Sequence, residues 1–172
     1  MFPKYLSLLL IGIAAPSFSH EHTGLAAAWR GSHYGECYPS FSAGMSDVYG
    51  PGYASDENID QKRAKYGANE MVVSTDRTSG TNASRTVFER RSGGRWCVVL
   101  TSPPVASLVP NRTADGSRKP SQWTTLTQAP PGYPATEIVY LWNRTAEIYL
   151  PSHCYHVSAR KKKRLNCAKA YE

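Results

Sequence analysis

The chain has 172 residues, 41% of them hydrophobic, and carries 20 basic against 13 acidic side chains, a net charge of +7. That length is usual for one domain and long enough to bury a core. The charge is not spread as a field over the whole molecule: residues 20–159 sum to only +1, and the excess collects near the C-terminus.

In chain order, Met1 to Ser19 starts with Lys4, runs through apolar residues from Leu6 to Ala15 and ends with the small residues Ser17 and Ser19. A basic start, an apolar middle of about ten residues and small residues at minus three and minus one form a signal peptide. This predicts removal of 1-19 and a single secreted domain over 20-172, with a basic C-terminal segment at 160-164. The apolar run is too short to span a bilayer, and no later stretch reaches ~18 apolar residues, so no membrane span is expected.

After a Gly, Ser and Tyr-rich entry from Gly31 to Tyr53, Ser55 reads as the N-cap of a short helix reaching about Tyr66, with Gly67 at its exit. Asp56, Glu57 and Asp60 precede Lys62, Arg63 and Lys65, the order a helix dipole favours. Met71 to Thr75 and Thr86 to Arg90 read as strands, and Ser92-Gly93-Gly94 turns the chain into Trp96 to Thr101. That run is apolar on both faces, which predicts a strand in the centre of a sheet. A Pro-punctuated loop from Pro103 to Pro134 holds a strand at Trp123 to Thr127. Thr136 to Trp142, the turn at Asn143-Arg144-Thr145, Glu147 to Leu150 and His153 to Val157 complete the strands. The expected class is α+β, with one short early helix packed on a mostly antiparallel sheet.

Cys37, Cys97, Cys154 and Cys167 all follow the cleavage site, and an even count in an exported chain predicts two disulfides. Asn82, Asn111 and Asn143 head glycosylation sequons, which predicts exposed turns at those positions.

Pro131-Gly132-Tyr133-Pro134-Ala135-Thr136-Glu137-Ile138-Val139-Tyr140, followed by His153 or His156 and then Cys167, resembles a strand, catalytic histidine and terminal cysteine of the fungal guanyl-specific extracellular ribonucleases. Arg95-Trp96-Cys97-Val98-Val99-Leu100 is similar to that family's central Glu-x-Pro-Leu strand. The likeness runs from about Cys37 to Cys167 and extends to the catalytically degenerate ribonuclease-like effectors secreted by plant-pathogenic fungi. It implies a ribonuclease-like fold and pairs Cys37 with Cys167, leaving Cys97 with Cys154. It also implies against activity. The family uses a carboxylate base, a histidine acid and a phosphate-binding arginine, but here Arg95 stands in the carboxylate's place and Glu137 in the arginine's.

Three groups of residues remain as candidates. His153, His156 and Glu137 are the catalytic ones. Arg160, Lys161, Lys162, Lys163 and Arg164 form the densest charge run and suit a polyanion, with Tyr149, Tyr155 and Tyr171 near enough in sequence to add stacking. His20 and His22 would stand at the mature terminus, where a free amine and imidazoles suit copper. The expected function is a secreted, non-catalytic effector or toxin-like protein, without cofactor, acting on a host protein or RNA outside or inside a host cell. The alternatives are an active extracellular ribonuclease and a copper-binding protein using His20.

Overall fold

The computed structural model describes residues 33–78, 80–111, 118–159 and 161–170. The signal segment 1-19, His20, His22, Arg160 and Tyr171 lie outside them. A two-residue strand, β1 (Cys37–Tyr38), leads to Ser40, whose Oγ accepts a hydrogen bond from the Ala43 amide at 3.1 Å. That bond caps helix α1 (Phe41–Tyr49), which ends at Gly50 with φ +88°. β2 (Ile59–Tyr66), β3 (Asn69–Asp76), β4 (Ala83–Arg90) and β5 (Trp96–Val105) then form an antiparallel meander, and β1 adds to β5. Only Ala106 separates β5 from β6 (Ser107–Pro110). β6 opens a second antiparallel sheet with β7 (Gln122–Leu126), β8 (Ala135–Asn143), β9 (Ile148–Val157) and β10 (Lys162–Leu165), in the order β10-β9-β8-β7-β6.

The helix therefore lies earlier than expected. Residues 59–66 form the edge strand β2, and Gly67, at φ +59°, is the first of two residues turning β2 into β3, because Tyr66 pairs directly with Asn69. A glycine at positive φ serves a helix exit and a hairpin equally well. Lys62, Arg63 and Lys65, which looked like dipole partners, instead stand exposed on an edge strand, where charge discourages pairing with another chain. The expected single sheet is two sheets, and the strands expected at 147–150 and 153–157 are one strand, β9.

The layers are helix, sheet, sheet. On one face of the first sheet Met45 and Phe41 of α1 pack over Val72, Phe88, Trp96 and Val98, with the Phe41 ring 5.4 Å from Phe88 and 5.1 Å from Trp96. α1 approaches closely because Gly44 faces the sheet. A Cβ there would meet Tyr38 Cδ2 at 2.8 Å and Phe88 Cε1 at 3.0 Å. On the other face Met71, Val87, Cys97 and Leu100 meet Trp123, Ile138, Tyr140 and Cys154 of the second sheet. β5, expected at the centre of a sheet, lies one place from its edge, between β4 and the two-residue β1, and it is apolar on both faces because α1 covers one and the second sheet the other.

Two disulfides are present, but not in the pairing that the resemblance implies. Cys37 bonds Cys97 and Cys154 bonds Cys167. Cys37 and Cys97 are direct partners across β1 and β5, 4.0 Å apart at Cα. Cys167 follows β10 in a 3₁₀ turn that brings it back onto β9, 5.1 Å from Cys154 at Cα. The first pair joins two neighbouring strands, and the second joins a strand to the turn that follows its neighbour, both within the ~7 Å Cα separation a disulfide allows. No helix among the described residues is long and apolar enough to cross a membrane.

Candidate functional site

Antiparallel pairing decides which candidate residues share a face. Lys162 pairs with Val157, Lys163 with His156 and Arg164 with Tyr155, so the basic run is an edge strand laid along the histidine-bearing β9. Lys161, Lys162, Lys163 and Arg164 are all exposed. Because side chains alternate, Lys162 and Arg164 stand on the outer face with His153, Tyr155 and Glu137, whereas Lys163 and His156 have the parity of the inner face. His153 and His156 thus point to opposite sides of β9 and do not form a pair.

On the outer face the Lys162 ammonium donates to Glu137 Oε1 at 2.6 Å and lies 4.2 Å from the Tyr155 ring centroid. The His153 and Tyr155 rings lie parallel with centroids 6.4 Å apart. The rest of this face is half-open: Val109, Leu126 and Leu141 are exposed, and Thr124, Val139 and Leu150 are only partly covered. Pairing carries the face across β6 to β10, from Val109 through Thr124 and Val139 to His153, and from Leu126 through Glu137 and Tyr155 to Arg164. Its make-up is aliphatic in the middle and aromatic and basic along one edge.

The remaining candidates lie elsewhere. Arg95 precedes β5 in the first sheet and donates to the Cys37 carbonyl at 2.9 Å, while Glu137 is engaged by Lys162 in the second. Tyr149 is core, its hydroxyl donating to the Pro120 carbonyl at 2.6 Å, and burial pushes that phenol above its ordinary value. Asn111 is exposed. Asn143 uses its Oδ1 to accept from the Thr145 and Ala146 amides, and Asn82 spends both ends of its amide on Gln128.

One ionic cluster was not foreseen. A cleft of about 750 Å³ between the sheets' ends is lined by Lys65, Glu70, Glu89, Arg91, Lys119 and Trp142, among others. Buried Glu89 accepts from Lys119 at 2.7 Å, and the Lys119 ammonium lies 3.0 Å from the Trp142 ring centroid. Burial lowers that ammonium's pKa, with Glu89 opposing the shift. Arg91 joins Glu89 to Glu147, and Glu70 is held by Arg63 and Arg90. Every carboxylate lining the cleft is therefore bound to a cation, which makes the cluster a fastening between sheets. The sequence signal for it is a glutamate at the inward parity of Thr86 to Arg90. Its partner, Lys119, comes from a loop with no readable pattern.

No family model, curated protein or solved structure matches the chain. The likeness to the fungal ribonucleases rests on the sequence motifs alone.

Proposed function

We propose that the chain is a secreted, non-catalytic interaction protein of the effector or toxin-like kind, and that the outer face of the second sheet, with its β10 edge, is the surface it offers. The observation that carries this reading is the register of β10 on β9, which lines up exposed Lys162 and Arg164 with Tyr155 and His153 on a face that also leaves Val109, Leu126 and Leu141 exposed. Cations beside aromatic rings on an open sheet suit an anionic partner that also stacks, and RNA has both properties. An acidic face of a host protein would use the cations alone.

Chemistry is not expected from this surface. An RNA-cleaving site needs a base, an acid and a phosphate-binding cation within reach of one another. Here Glu137 is spent on Lys162, Arg95 is bound to the other sheet, and the two histidines point apart.

Replacing Lys161, Lys162 and Lys163 with Gln tests the reading. Binding to single-stranded RNA or heparin should weaken, with the log-log salt slope falling by roughly 0.7–0.9 for each lost phosphate contact. Folding stability should change by no more than about 1 kcal/mol, since the side chains are exposed and the ion pair lost, Lys162 with Glu137, is half-open. An unchanged slope in a folded variant would remove the basic edge from the partner surface. Cleavage of total RNA that is lost on His153→Ala or His156→Ala would defeat the non-catalytic reading.

A further inference from the structure

A second set of donor atoms converges on the helix side of the first sheet. His33 begins a turn before β1, closed by a hydrogen bond from the Glu36 amide to the His33 carbonyl at 3.0 Å. Tyr38 is the second residue of β1, and Asp47 lies in the last turn of α1. His33 Nδ1 is 3.2 Å from Glu36 Oε2 and 2.9 Å from Asp47 Oδ2. The Tyr38 hydroxyl is 2.7 Å from that Glu36 oxygen, 2.9 Å from that Asp47 oxygen and 3.2 Å from Nδ1.

Hydrogen bonding does not account for these five contacts. The phenol carries one proton and Nδ1 at most one, so even with each proton shared between the two carboxylate oxygens the contact between Nδ1 and the phenol oxygen has none. Charge repeats the deficit: two carboxylates face at most one imidazolium. Asp47 also stands at the negative end of a helix, where a carboxylate is disfavoured. Glu36 and Asp47 are about half exposed, at 50% and 52%, and are free to turn into water. Both instead aim one oxygen at the same two heteroatoms.

We infer that His33, Glu36 and Asp47 bind one divalent cation of the zinc or manganese class, with the Tyr38 hydroxyl completing the donor set. Bonds of ~2.1 Å put neighbouring donors about 3.0–3.4 Å apart, close to the separations seen here. An imidazole with two carboxylates suits a borderline cation. No thiolate takes part, because all four cysteines are in disulfides. The cation would tie the C-terminal turn of α1 to the segment entering β1, next to the Cys37–Cys97 bond.

The test uses the full secreted chain, stripped with chelator, with His20→Ala and His22→Ala so that terminal imidazoles do not contribute. Zn²⁺ and Mn²⁺ titrations by calorimetry should give one equivalent, a raised Tm that chelator reverses and, with Co²⁺, visible bands without thiolate charge transfer. Glu36→Gln and Asp47→Asn keep shape and hydrogen bonding. Each should weaken the cation by more than the roughly 10–100-fold that loss of an outer-sphere partner costs. Lys161→Gln should leave cation binding unchanged. Absence of binding by the parent, or equal binding by the parent and by Glu36→Gln, overturns the inference. Near-UV circular dichroism of Glu36→Gln confirms that its comparison is between folded proteins.

Discussion

The two sheets have five antiparallel strands each, and they are treated differently by the rest of the chain. The first is covered twice, by α1 on one face and by the second sheet on the other, and Phe88, Val72 and Val98 beneath the helix are fully buried. Among the described residues the second sheet is covered on one face only, by the first. Its outer face leaves Val109 56% and Leu141 38% exposed, and its edge is a strand of cations. The first sheet is thus closed on both faces, and the second leaves open the face and edge proposed above for contact. The ion pairs differ in the same direction: buried Glu89 of the first sheet is neutralised by Lys119, whereas Glu137 of the second balances a half-exposed lysine.

Matched truncations are the strongest way to break this comparison. Phe88→Ala empties a site under α1 and should cost about 3–5 kcal/mol, measured by urea unfolding. Leu141→Ala removes a side chain already 38% exposed and should cost below about 1 kcal/mol. Similar losses from both would mean that something covers the outer face of the second sheet as well.

The disulfides sharpen it further. In the chain-entropy account the Cys37–Cys97 bond, spanning a separation of 60, is worth about 4 kcal/mol and the Cys154–Cys167 bond, spanning 13, about 3 kcal/mol. Paired Cys→Ser replacements should follow that order in stability. Anion binding should follow the reverse order, because only the second bond anchors the chain that leaves β10. Equal loss of anion binding from both would place the basic edge under the control of the whole fold. Peptide mapping of the unreduced protein checks the pairing itself.

What was legible in the sequence follows the same line. β5 was readable because Trp96 to Leu100 is apolar on both parities, and a doubly covered strand has no other pattern. β8 was readable from the alternation of Ile138, Tyr140 and Trp142 against Glu137, Val139 and Leu141. β2 was misread because Lys62, Arg63 and Lys65 satisfy a helix C-terminus and a protected sheet edge alike, and only the pairing of Tyr66 with Asn69 separates them. α1 was missed because Ser42, Gly44 and Ser46 are weak helix formers, and Gly44 is there for close approach to Tyr38 and Phe88. The basic run was visible as charge, but its division between two faces depends on register with β9. The His33, Glu36 and Asp47 cluster was invisible, because it joins a turn to a helix that the sequence did not announce.

The smallest expected effect bears most directly on the second sheet. Glu137 faces its outer side and holds Lys162 at 2.6 Å, so the native surface offers one cation fewer than its sequence suggests. Glu137→Gln keeps the side chain's shape and removes its charge. An ion pair of which one member is 49% exposed contributes about 0–1 kcal/mol, so stability should barely move. Lys162, resting on the Tyr155 ring, would then be free to meet a phosphate, and the salt slope for single-stranded RNA should steepen by up to roughly 0.7. The gain should vanish when Lys162→Gln is added, because both changes act on one cation. If Glu137→Gln instead weakens binding, the pair itself is what the partner recognises, and a host protein with a cation matched to Glu137 becomes the better reading of this face.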